Sequence, residues 1–193
     1  MRRTAVIAVV CLVAASTASA QNRHGVWFTA GVGIASAGIS DNDADADRGA
    51  IATGLLEVGW ALTPRVLVGV DLKIVSFDVS GDLVGKLNAY TLAGALTYYP
   101  RATSGFFVKG GAGGSFAELQ VDFMDTDVPT KAGSGFGFTV GTGYDIHLGR
   151  GFSIRPAVDF WYGRIRDLTI AGLPVLSDWS YNVIDASVSI KFH

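Results

Sequence analysis

From about residue 24 onward the chain alternates apolar and polar residues in eight segments, and the links between them are short and long by turns. The segments run at about 24–36, 50–62, 65–77, 87–99, 106–118, 135–147, 152–165 and 178–192. A period of two predicts strands with one apolar face. Three links are short: Thr63-Pro64, Pro100 to Gly105, and Leu148 to Gly151. Four are long: 37–49, 78–86, 119–134 and 166–177. A tilted strand crosses a bilayer with about 9–11 residues, so each segment is long enough to span one. The pattern predicts an all-β fold, an eight-stranded antiparallel up-and-down transmembrane barrel with short periplasmic turns and four longer extracellular loops. Closure would leave no unpaired sheet edge.

The two faces of these segments differ in chemistry. In 136–146 one phase reads Phe136, Phe138, Val140, Thr142, Tyr144 and Ile146, and the other Gly137, Thr139, Gly141, Gly143 and Asp145. The second phase throughout the chain collects small residues and charges: Glu57, Asp71, Lys73, Lys109, Asp145, Arg155, Asp159, Asp185 and Lys191. A Lys or Arg facing hydrocarbon at mid-bilayer costs about 2–4 kcal/mol. These charges are therefore expected to face the lumen and pair there. A turn at 148–151 sets Asp145 opposite Arg155, which predicts one such pair near the periplasmic end. Pro156 falls inside the seventh segment, where no edge is available to hide its missing N–H, and a bulge is expected near it.

Aromatic residues of the apolar phase fall into two bands, as expected at the two membrane interfaces. The periplasmic band holds Phe28, Trp60, Tyr98, Tyr144, Phe152 and Phe192. The outer band holds Tyr90, Phe116, Phe136, Phe138, Phe160 and Tyr162.

The first twenty residues read as a secretory signal. Arg2 and Arg3 precede an apolar run from Ala5 to Ala15, and Ala18-Ser19-Ala20 is a small-residue cleavage site. The apolar run is shorter than the roughly 20 residues that a membrane helix needs. The domain division expected is 1–20 signal peptide and 21–193 barrel. Cleavage would leave 173 residues, with 13 Lys+Arg against 17 Asp+Glu. That balance is no nucleic-acid footprint. The only cysteine, Cys11, lies in the signal segment, so the exported chain would carry no thiol.

Several motifs carry residue types that bear on chemistry. Asp41-Asn-Asp-Ala-Asp-Ala-Asp47 offers carboxylates to a divalent cation, but the glycine and glutamate of an EF-hand loop are missing, and a solvated acidic loop explains it. The run Gly110-Gly-Ala-Gly-Gly114 lies inside a predicted strand, without the following helix or Lys-Ser/Thr pair of a phosphate cradle. His24, His147 and His193 fall near the periplasmic rim, where a lipid hydrolase would need a His–Ser pair and an acidic orienter. Gly25-Val-Trp27 matches the G-x-W opening of lipocalins, soluble eight-stranded barrels. Those would be richer in charge than the 17% found here. Eight strands leave an interior just wide enough for side chains to fill, which predicts a plugged lumen over an open channel. No cofactor and no metal is expected.

Phe107-Val-Lys-Gly-Gly-Ala-Gly-Gly-Ser115, Gly135-Phe-Gly-Phe-Thr-Val-Gly-Thr-Gly-Tyr144, Ser153-Ile-Arg-Pro-Ala-Val-Asp-Phe-Trp161 and Ala186 to Phe192 resemble the small outer-membrane β-barrel proteins of the OmpA/OmpX type. The resemblance covers 21–193. It implies a barrel held in outer-membrane lipids and inserted by the outer-membrane assembly machinery, which in this family reads an alternating last strand ending in an aromatic. Ile184, Ala186, Val188, Ile190 and Phe192 supply that phase, with His193 following it. No peptidoglycan-binding domain follows, so cell-wall anchoring is not implied. The lipid A deacylase barrels are less similar, since their His-x-Ser-Asn motif fails at His147-Leu148-Gly149. The role expected is non-enzymatic, structural or surface-interacting, with an extracellular partner that the residues do not name.

Overall fold

The computed structural model describes residues 23–41, 44–45, 49–79, 85–123, 126–130, 133–149, 151–170 and 173–193. The signal segment with Cys11, and most of the acidic segment 41–47, lie outside the described residues.

Eight strands form the wall: β1 (Gly25–Asp41), β2 (Gly49–Thr63), β3 (Val66–Val79), β4 (Gly85–Tyr98), β5 (Phe106–Phe123), β6 (Ser134–Tyr144), β7 (Phe152–Ile170) and β8 (Leu173–Phe192). Each pairs antiparallel with its sequence neighbour, and β1 pairs with β8 from Phe28↔Phe192 to Ser40↔Ser180, which closes the barrel. Closure leaves the described wall without a free sheet edge, the condition for a sheet in hydrocarbon.

The strands run further outward than the alternation predicts. β1 continues to Asp41, β5 to Phe123 and β7 to Ile170, and Thr126–Thr130 pairs back onto the end of β5. Segments read as loops are thus partly paired hairpin. The physical reason is simple: beyond the membrane both faces meet water, so pairing persists while the apolar–polar period that reports it disappears.

Pro156 is accommodated differently from expectation. No bulge forms. Its register with β8 is unbroken at Pro156↔Val188. On the other side the ladder lapses between Ala157↔Gly143 and Ile154↔Ile146, where β6 ends and a short continuation, Ile146–Gly149, begins. The register is the same on both sides of the gap, so no residue is inserted. A missing donor is met by a local interruption of its partner strand rather than by a two-against-one bulge.

The wall has the predicted phase. Val32 and Ile34 are each 71% exposed on the lipid face, whereas Thr29 and Ala35 on the other phase of the same strand are buried. All twelve girdle aromatics are at least partly exposed, and Phe138 packs against Phe160 and Tyr162 at 6.0 and 5.5 Å between ring centroids. At the other end Phe152 and Phe192 lie 6.3 Å apart.

Inside, a second set of aromatics fills the lumen. Trp161, Tyr181, Val75, Ile165 and Val183 form an apolar layer toward the outer end, and Trp27, Leu67, Tyr99 and Phe107 form another toward the periplasm. Glycine makes room for these rings. Gly59 and Gly69 face each other across β2 and β3, and a Cβ on either would come within 2.8 or 2.9 Å of the Trp27 ring. The strand glycines therefore seat interior aromatics that a narrow barrel could not otherwise hold.

Candidate functional site

Between the two apolar layers lies a lattice of ion pairs. All nine charges read from the sequence are buried, from 0% exposed at Asp145 and Lys191 to 7% at Lys109. Alternation delivers them to the lumen from several strands, with Glu57 directly opposite Asp71 and Asp159 directly opposite Asp185. Lys73 of β3 reaches Asp159 of β7 at 2.8 Å. Lys109 of β5 sits among Glu57, Asp159 and Asp71 at 2.5, 3.3 and 3.5 Å. Arg155 of β7 bridges Glu57 at 2.9 Å and Asp145 at 2.6 Å. Lys191 of β8 meets Asp145 at 3.3 Å. A continuous chain of contacts thus runs from Lys73 to Lys191. Asp185 stands apart and accepts a 2.5 Å hydrogen bond from the Thr53 hydroxyl.

Asp145 and Arg155 are the pair expected from the turn at 148–151. The carboxylate takes hydrogen bonds from Arg155 Nε and Nη2 at 2.6 and 3.3 Å, and the guanidinium lies 4.3 Å from the Phe107 ring centroid. The connected lattice holds four carboxylates against four basic groups, with Asp185 a fifth buried carboxylate beside it. Such groups are tolerable in a low-dielectric interior only when paired and hydrogen-bonded.

Two members of this site were not read from the sequence. Tyr99 directly follows the girdle residue Tyr98 and therefore points inward. Its hydroxyl donates to Asp145 at 2.6 Å and accepts from Arg155 and Lys191 at 2.8 Å each. Consecutive aromatics at a strand end were the available signal, since they cannot share a face. The second is Arg23, ahead of β1 and 1% exposed. It donates to the carbonyls of Pro64, Ala102 and Ser104 at 3.2, 3.1 and 2.8 Å, and its guanidinium sits 3.5 Å over the Tyr99 ring. This residue closes the periplasmic mouth and brings a fifth cation to the interior. It precedes the first alternating segment, so no periodicity reports it.

The histidines of the periplasmic rim fall partly together. His147 and His193 rings lie 6.1 Å apart, and His147 Nδ1 is 3.3 Å from Ser153 Oγ. This is a His–Ser contact, yet Ser153 is 0% exposed, so its hydroxyl offers no surface to a lipid ester. His24 is exposed at the same end. Gly110 to Gly114 lie within β5, not in a loop before a helix. Among the described residues no group of three or more His, Cys, Asp or Glu side chains is arranged to hold a metal ion.

The geometry is that of a closed wall whose described interior is lined by buried aromatic and paired ionic side chains. The chain matches the family model described as the outer membrane protein beta-barrel domain over residues 5–192. Comparison with curated proteins finds no match. Among solved structures the barrel is similar to Neisserial surface protein A, at 17% identity and a TM-score of 0.60, covering 87% of this chain and 97% of that one. It is also similar to Ail, the attachment invasion locus protein of Yersinia pestis, in its complex with the heparin analogue sucrose octasulfate, at 11% identity and a TM-score of 0.59, covering 88% of this chain and 99% of that one. At such identities the likeness is one of fold. The chain belongs to the outer membrane protein beta-barrel family and is an integral protein of the Gram-negative outer membrane.

Proposed function

We propose that the protein is a non-enzymatic anchor that holds its outer hairpins at the cell surface, for a structural or surface-interaction role. The observation that carries this reading is the filled interior. Trp161 and Tyr181 on one side of the ion lattice, and Tyr99 and Phe107 on the other, are each 0% exposed. A lumen of this kind offers neither a hydrated path for a solute nor a cleft for a substrate. Function on such scaffolds sits in the loops.

The segments 37–49, 78–86, 119–134 and 166–177 carry ten carboxylates and four basic residues. That balance favours cationic partners and opposes polyanions of the kind bound to Ail. Outer-membrane lipids surround the wall, and the assembly machinery acts during biogenesis. Nucleic acid is not a partner on this reading.

The test is a variant whose four hairpin tips are replaced by short turns. It should still assemble as a boiling-sensitive barrel but fail to restore surface phenotypes to a null strain. Full restoration by the tipless barrel would overturn the proposal, as would steady single-channel conductance of the wild type in planar bilayers.

A further inference from the structure

We propose that the periplasmic rim binds the anionic headgroups of phospholipids in the inner leaflet of the outer membrane, through Arg65 and Arg101. Charge is sorted along the barrel axis. Acid dominates the outer segments, whereas the three short links, 63–65, 100–105 and 148–151, contain Arg65, Arg101 and Arg150 and no Asp or Glu. Arg150 lies outside the described residues, and Arg65 and Arg101 are both exposed. The nearest carboxylate in sequence to this rim, Asp145, is buried and already engaged by Arg155, Lys191 and Tyr99. The rim therefore presents cations that have no counter-charge among its own turns.

Position supplies the second argument. Trp60 and Tyr98 mark the periplasmic interface, at 54% and 39% exposure. Val66 pairs with Tyr98, so Arg65 and Arg101 stand one and three residues beyond the girdle. At about 3.3 Å per residue they fall within about 10 Å of it, the depth of phosphate groups. A guanidinium matches a phosphodiester in shape and can bond two of its oxygens.

The third argument is order. Arg23 ties Pro64 of the first turn to Ala102 and Ser104 of the second. The Tyr99 amide bonds the Arg65 carbonyl at 2.8 Å, and the Ser104 amide bonds the Arg101 carbonyl at 3.1 Å. Both arginines thus leave a backbone already fixed, which lowers the ordering cost of binding. At the outer end the basic residues of the long segments, Arg48, Lys86, Lys131 and Arg166, stand among ten carboxylates, so the excess of cation over acid belongs to the periplasmic leaflet.

The experiment uses the full exported chain, untagged, folded in bilayers of phosphatidylethanolamine and phosphatidylglycerol. Spin-labelled lipids of each class report relative association with the barrel. Wild type should prefer phosphatidylglycerol several-fold, on the scale of about fivefold for one fully engaged arginine. The preference should vanish in Arg65→Gln/Arg101→Gln and weaken at high salt. It should persist in Arg65→Lys/Arg101→Lys, which keeps the charge, and in Lys86→Gln/Lys131→Gln at the outer end. Boiling-sensitive migration checks that each barrel is folded. If the double glutamine variant does not fold, the single Arg65→Gln and Arg101→Gln variants should each show a partial loss. A wild type without preference, a preference that survives loss of both arginines, or equal loss in the outer-end variant would overturn the proposal.

Discussion

The interior lattice makes a quantitative prediction at Arg155. Its guanidinium contacts Asp145, Glu57 and Tyr99, and lies over Phe107. Arg155→Met keeps most of the stem and deletes the charge. Breaking a buried pair by removing one partner costs about 3–5 kcal/mol, because the other charge is left uncompensated. Here the orphans are not alone. Asp145 keeps Lys191 and the Tyr99 hydroxyl, and Glu57 keeps Lys109 at 2.5 Å. The low end of the range, about 3 kcal/mol, is therefore expected. Asp145→Asn leaves Arg155 with Glu57 and should cost a similar amount. The double variant Asp145→Asn/Arg155→Met removes both charges and should cost less than the sum by about 1–3 kcal/mol, the coupling typical of contacting residues. Equilibrium unfolding in urea from lipid vesicles, followed by tryptophan fluorescence, measures all four corners of the cycle. Additivity within about 0.5 kcal/mol would refute the reasoning, since independent sites behave that way. It would mean that lumenal charges are held by water and not by one another.

Three further outcomes follow from the same structure. Phe192→Ala should lower the yield of boiling-sensitive barrel in cells far more than deletion of His193, because Phe192 ends the lipid-facing phase of β8; equal wild-type yields for both would exclude that role. Gly69→Val should crowd the Val58 carbonyl first and the Trp27 ring next, and destabilise the barrel by about 1–3 kcal/mol, as overpacking does, with a change in near-ultraviolet circular dichroism; an unchanged spectrum and midpoint would show that neither is packed against Gly69. Burial, and secondarily the Lys191 charge, depress the His193 imidazole from 6.5 to about 4. The unfolded chain then takes up a proton that the folded chain resists, so this residue's contribution to stability is lost as pH falls from about 6.5 to about 4; wild type should lose midpoint relative to His193→Gln across that window, and parallel curves would refute it.

How much of this was legible can be judged residue by residue. The inward face of the wall was readable because charge and period agree. Asp71 and Lys73 lie two apart, as do Asp185 and Ser187, and no lipid-facing register tolerates them. The interior aromatics were equally visible in principle. Phe107 shares its phase with Lys109, and Trp161 shares its phase with Asp159 and Arg155, so each must point into the lumen. What was not legible has no periodic signature. Arg23 acts through carbonyls of two turns far away in sequence, and only the closed fold brings them together. The outward extension of β1, β5 and β7 is written in backbone pairing, which side-chain alternation ceases to report once both faces are wet. Pro156 signalled a disturbed ladder, but the choice between an inserted residue and a lapse in the partner strand depends on how freely β6 can break at Asp145.

The placement of these charges bears on why the interior is ionic when an apolar filling would be simpler. Both faces of a narrow barrel wall can meet apolar surroundings, lipid on one side and packed side chains on the other. An uncharged sequence would fit nearly as well with its phases exchanged, since a slip of one residue moves every side chain to the opposite face. The lattice removes that degeneracy. After such a slip Lys73, Lys109, Arg155 and Lys191 would face hydrocarbon, at about 2–4 kcal/mol each near mid-bilayer. Their carboxylate partners would face it too. For the four basic groups alone the penalty is about 8–16 kcal/mol at mid-bilayer, comparable to the typical 5–15 kcal/mol by which a domain outweighs its unfolded state. In the correct phase the same groups contribute little net stability, because pairing barely offsets desolvation. Their effect is on choice of register. The register shifts at Ala61/Thr63 and Leu168/Thr169 fall near strand ends, beyond the ion lattice, and the shift at Phe152/Ser153 lies beside Lys191 at the periplasmic limit of the lattice. Between those limits the β7–β8 ladder keeps one register from Phe152↔Phe192 to Leu168↔Leu176, through Arg155, Asp159, Asp185 and Lys191.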